Sequence, residues 1–131
     1  MITISKRVVL DAGALIAVER NNRSVVGRIT ATILDGGLVI VPSSVIAQVW
    51  RRHPSQARLA QLLPDLEIAP FDPFVRRIGE LCDKAKTSDI CDAQVALATL
   101  FYDAEIVYTS DPDDIAHLLD VCGLPDRTVK V

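Results

Sequence analysis

Three consecutive apolar residues, Val8-Val9-Leu10, run straight into a carboxylate at Asp11, and Ile106-Val107-Tyr108 does the same before Thr109-Ser110-Asp111. A strand with one wet face alternates apolar and polar residues, whereas an unbroken short run fits a strand buried on both faces. Leu38-Val39-Ile40-Val41, closed by Pro42, is a third such run; Leu66 to Ala69 and Thr128 to Val131 are weaker candidates, the last an edge strand. The segments between them have helical spacing. Small residues after Asp11 lead into one helical pattern. Residues 24–35 carry Val25, Val26, Ile29, Ile33 and Leu34 and stop at Gly36-Gly37, as suits a helix C-terminus. Ser43 or Ser44 is the expected cap of a helix with Val45, Ile46, Val49 and Trp50, ending at Arg51-Arg52-His53-Pro54.

Gln56 to Leu63 predicts a further helix, stopped by Pro64. Asp72 or Pro73 opens a long one, with Phe74, Val75, Ile78, Leu81 and Cys82 on one face, running to Lys86. Thr87 to Phe101 is Ala-rich and strongly apolar, with Asp89 and Asp92 in its first turns. A last helix carries Ile115, Leu118, Leu119 and Val121 and ends near Gly123. Alternating apolar strands and helices predict an α/β chain with a parallel sheet covered on both faces. No strand is expected between the helix of Ile78 and that of Asp92, so the order is not a strict βαβ repeat.

The 131 residues suffice for one domain with a real core, and half of them are apolar, which argues against disorder. No apolar run approaches the roughly 18 residues of a membrane helix. Met1 to Arg7 lacks the apolar stretch of a secretory leader. Cys82, Cys91 and Cys122 form no CxxC pair and read as small buried hydrophobes in a reducing cytoplasm. His53 and His117 stand alone, so no zinc site is expected. A net charge of −3 excludes a generally basic nucleic-acid binder. It leaves open phosphate chemistry through bound divalent cations, each of which brings its own charge.

Groups at the carboxyl ends of strands line the ligand crevice of an open α/β sheet. Asp11 follows the first strand, Asp89 and Asp92 open a buried helix, and Asp111, Asp113 and Asp114 follow the fourth strand. Mg²⁺ and Mn²⁺ take hard oxygen ligands, and carboxylates converging from separate elements repel unless a cation sits among them. The competing reading is helix capping. Asp89-x-x-Asp92 and Asp111-x-x-Asp114 both resemble capping boxes, and Pro112 suits a first turn. Capping leaves Asp11 without an explanation. Trp50 reads as core or interface, Arg51 and Arg52 as an exposed helix C-terminus, and Arg76, Arg77, Lys84 and Lys86 as a solvated face. Thr109 either orients a metal-bound water or finishes its strand against backbone.

Taken together, Val8-Val9-Leu10-Asp11 with Ala14-Leu15-Ile16, Asp92-Ala93 with Val95-Ala96-Leu97-Ala98, and Thr109-Ser110-Asp111-Pro112-Asp113-Asp114 resemble the PIN domain. Within that family the chain is similar to VapC-type toxins of prokaryotic toxin–antitoxin pairs. The resemblance spans nearly the whole chain. It implies a three-layer α/β/α sandwich around a mostly parallel sheet of about five strands. It also implies a Mg²⁺- or Mn²⁺-dependent endoribonuclease of the cytoplasm, restrained by a cognate antitoxin and expected as a homodimer. Asp11, Asp92 and Asp111 would be the catalytic, metal-holding acids, with Asp114 as a further metal ligand and Thr109 as a supporting hydroxyl. The family usually carries Glu where this chain has Gln48, which offers a carbonyl oxygen without charge. That implies weaker cation binding, with one ion rather than two.

Two other readings compete. One is a PIN-like scaffold, weakly active or inactive, that binds an antitoxin or itself. The other is a phosphoryl-transfer domain of receiver or haloacid-dehalogenase type. The dehalogenase pattern needs a second Asp where Gly13 stands; a receiver needs an acidic pair before its strand and a late sheet lysine, but Lys130 lies inside the last strand.

Overall fold

The computed structural model describes residues 6–131, so the leader reading of Met1 to Arg7 lies, for 1–5, outside the described residues. The chain is an α/β/α sandwich. Its strands are β1 (Arg7–Leu10), β2 (Leu38–Pro42), β3 (Glu67–Ala69), β4 (Ile106–Thr109) and β5 (Thr128–Lys130). They form one five-stranded parallel sheet in the order β3-β2-β1-β4-β5. β1 is central, with Val9 opposite Ile40 on one side and Val107 on the other. Val8, Val9 and Leu10 are wholly buried, which is why that stretch is a run and not an alternation. Each such side chain contributes roughly 1.5–3 kcal/mol of burial. β3 is an edge strand and leaves Ile68 half exposed.

The helices are α1 (Ala12–Glu19), α2 (Arg23–Leu34), α3 (Ser43–Val49), α4 (Ala57–Leu62), α5 (Val75–Ala85), α6 (Ile90–Tyr102) and α7 (Pro112–Val121). α1 packs with α2, α3 and α4, whereas α5, α6 and α7 pack with one another, giving the two outer layers. Single 3₁₀ turns precede α4 and α5 and follow α4, at Pro54–Gln56, Asp72–Phe74 and Leu63–Asp65. The chain moves outward from β1 to β2 and β3, then returns to the far side of β1 for β4. Neighbouring β1 and β4 therefore send their following helices to opposite layers. This is the topological switch point where an open parallel sheet leaves a crevice at its carboxyl edge.

Three local expectations need correction. Neither Ser43 nor Ser44 caps α3; Pro42 is its N-cap, and the Ser44 N–H donates to Gln94 of α6 at 3.0 Å, which satisfies the helix end from outside. Val75 faces solvent, because the stripe packed inward from α5 is Ile78, Leu81 and Ala85. The three cysteines are free but half-buried rather than buried. No helix among the described residues is long and apolar enough to cross a membrane.

Candidate active site

Asp11 ends β1 and is also the N-cap of α1. Its backbone is extended, its N–H donates to Tyr108 O at 3.1 Å, and its Oδ1 accepts the Ala14 N–H at 3.0 Å. The expectation that capping cannot account for Asp11 is therefore overturned. The strand runs directly into a helix with no loop between, so the first available side chain meets the orphan amides of the first turn. At 5% exposure, burial raises the Asp11 pKa above the usual carboxylate value. Hydrogen bonds from the Thr109 hydroxyl and the amides of Ala14, Gly13 and Ser110 pull it back down. The same Thr109 hydroxyl, fully buried, accepts the Asp111 N–H at 2.8 Å and so links both acidic strand ends. Of the two readings of Thr109, its bonds match the one in which the hydroxyl finishes its strand against backbone, here beside an acid.

Gly13 sets how closely these two ends approach. A Cβ there would overlap the Ser110 side chain and lie 3.0 Å from the Ser110 nitrogen. Only a residue without a side chain lets the first turn of α1 lie against the loop between β4 and α7.

α6 reaches the same edge of the sheet through Gln94. That side chain, 2% exposed, accepts from the Ser44 N–H and hydroxyl beyond β2 and donates to the Ala69 carbonyl at the end of β3, at 3.0 Å. Asp92 lies two residues earlier, in the first turn. Asp89 caps α6, with its Oδ1 accepting the Asp92 N–H at 2.9 Å, as the capping reading expected. The Asp92 carboxyl is pushed up to about 7. Burial is the largest cause, followed by the charge of Asp89, a side-chain hydrogen bond with Asp89, and the charges of Asp11 and Asp111. Residues 11, 92 and 111 are thus brought within electrostatic reach of one another.

Asp111 is exposed at the N-cap position of α7, where its side chain makes no capping bond. The expected Asp111-x-x-Asp114 capping box is absent. The backbone at Asp111 has left the extended region (φ −122°, ψ 66°), and its N–H is engaged by Thr109. Pro112 opens the helix as anticipated. Asp114 is exposed in the first turn of α7. Gln48 is exposed in the last turn of α3, on the wall of a 510 Å³ open groove that begins at Ala12.

The donor set is one of hard oxygens, the kind Mg²⁺ and Mn²⁺ prefer. Among the described residues, no three His, Cys, Asp or Glu side chains stand grouped closely enough, as placed, to hold an ion. Asp11 is turned to the amide of its own helix, and Asp92 bonds to Asp89. Burial and, after it, the charges of Asp89, Asp11 and Asp111 raise the Asp92 carboxyl; a cation would relieve the repulsive part, and in that chemical sense the residues fit a divalent ion.

Gln94 and Gly13 with Ser110 were not anticipated as parts of the site and carry no visible signal in the sequence, whereas the pairing of Asp89 with Asp92 was signalled by their Asp-x-x-Asp spacing. No family model matches this chain, and no curated protein matches it.

Proposed function

We propose that this chain is a Mg²⁺- or Mn²⁺-dependent endoribonuclease of PIN type, acting as the toxin of a toxin–antitoxin pair. The observation that carries the reading is the placement of Asp11 at the end of β1 and Asp111 just past the neighbouring β4, tied through the buried Thr109 hydroxyl, with the Asp92 carboxyl at the head of α6 acted on by both charges. A bound divalent ion would supply a water of lowered pKa and stabilise charge on the attacked phosphodiester. Asp11, fixed by its donors, would hold the ion from the sheet. Asp92 and Asp111 would close on it from α6 and the start of α7, and Asp92 would give up its proton in doing so. Asp114 would be a further ligand. Thr109 holds Asp11 and the backbone of Asp111 in register. On the same reading the protein works in the cytoplasm, in keeping with three free thiols, and pairs with a cognate antitoxin and with itself.

Gln48 favours a second reading, a PIN-like scaffold that binds without cleaving, because it adds no charge to the site. Cleavage of RNA with Mn²⁺ by wild type and Asp11→Asn separates the two. Asn caps a helix as well as Asp does, so the fold survives the exchange. The nuclease reading expects a loss of at least about a hundredfold. Equal rates would reject it.

A further inference from the structure

The groove that begins at Ala12, the neighbour of Asp11, passes Ile16 and Gln48 and reaches Arg20, Arg51 and His53, with one carboxylate, Glu19, on its wall and held by Gln56. At 510 Å³ it is the size of a small-ligand site and has room for a nucleotide of one strand. Its floor is Gln56, 4% exposed, whose side chain is fully committed. Gln56 Oε1 accepts from the Arg51 N–H at 2.9 Å and the His53 N–H at 3.4 Å, while Nε2 donates to Glu19 at 2.6 Å and to the Val49 carbonyl at 2.9 Å. These bonds hold a turn in which Arg52 is left-handed (φ 54°), a conformation sparsely populated by residues with a side chain.

That turn presents Arg51 and His53 on a rigid support. Arg51 spends one nitrogen, Nη1, on the Ala47 and Trp50 carbonyls, which is the helix-end role its sequence suggested. Its other guanidinium donors make no bond among the described residues. The one ion pair among those residues is Arg127 with Asp103, so Arg20 and Arg51 are unpaired. Unpaired guanidinium forks on a preorganised groove are the recognition chemistry of phosphate.

We propose that this groove holds backbone phosphates of single-stranded RNA on one side of the scissile bond, with Arg20 and Arg51 as positioning residues. The proposal rests on the nuclease reading for the identity of the strand. It is tested without metal or cleavage, by fluorescence anisotropy of a labelled oligouridine with the full chain in EDTA across a salt series. The wild type is expected to bind, and Arg20→Gln with Arg51→Gln to weaken binding about tenfold. The log–log salt slope of that pair should be shallower by about 1.4, from about 0.7 for each phosphate that is no longer neutralised. Arg76→Gln with Arg77→Gln removes equal charge from α5, in the other layer, and should leave the slope unchanged. Absence of wild-type binding, equal slopes for wild type and the groove pair, or an equal effect of the α5 pair would each overturn the proposal. Failure here leaves metal-dependent cleavage standing, whereas an active Asp11→Asn removes the nuclease reading and leaves this binding result as measured.

Discussion

At the head of α1, Asp11 is almost sealed from solvent, yet one hydroxyl and three amides donate to it. At the head of α6, Asp92 is only half-buried, receives its own N-terminal cap from Asp89, and is surrounded by three like charges. Both carboxyls are raised by burial, but only the first has donors that oppose it. The contrast teaches that burial raises both acids at this sheet edge, while their neighbours oppose it at one and add to it at the other. Asp11 is a fixed acid, built into the junction of strand and helix. Asp92 is a responsive one, which needs either a proton or a cation to sit where it does.

The contrast can be broken first at its rigid half. Gly13→Ala drives a methyl into Ser110 and is expected to destabilise the fold by about 1–3 kcal/mol, read from the urea midpoint at constant m-value. Adding Ser110→Gly should recover part of that loss, since the clash is largely with the Ser110 side chain. A Gly13→Ala protein as stable as the parent would mean that the α1 turn and the β4–α7 loop are not held together as described.

The responsive half gives a smaller effect that depends on pH. A carboxyl raised to about 7 in the folded state keeps a proton that the unfolded chain has already released. Stability therefore falls as pH rises from the ordinary Asp range to about 7, and the full penalty persists above. With metal chelated, Asp92→Asn should raise stability near pH 8 by roughly 1 kcal/mol, once solvent screening of this half-exposed group is allowed for. Near pH 4 the gain should vanish. Thermal melts of both proteins across that range check it, and a pH-independent difference would show that Asp92 does not titrate as argued.

Much of this arrangement was legible beforehand. Val8 to Leu10, Leu38 to Val41 and Ile106 to Tyr108 declared buried strands because they lack any polar alternation, and a parallel sheet needs helices on both sides. The acids at 11, 92 and 111 could be placed at strand ends and a helix start by position alone. What stayed hidden depends on bonds between distant segments. Gln94 tying α6 to Ser44 and Ala69, and Gln56 closing the Arg51 turn against Glu19, join residues from 5 to 50 positions apart, and an isolated Gln carries no pattern. The capping of α1 by Asp11 was missed for another reason. A strand leading into a helix without a loop makes one residue serve both, so treating the acid as a strand end concealed its bond to the helix.

The claim beneath all of this is that Asp11, Asp92 and Asp111 share one divalent cation, which takes the place of the Asp92 proton. Titration calorimetry with Mn²⁺ near pH 6.5, repeated in buffers of different ionisation enthalpy, measures that exchange directly. The account predicts net release of protons as the ion binds. It also predicts no such release from Asp92→Asn, and binding at least about tenfold weaker in Asp11→Asn and Asp111→Asn. Mn²⁺ binding of equal strength in all four proteins, or binding with no proton released, would contradict it.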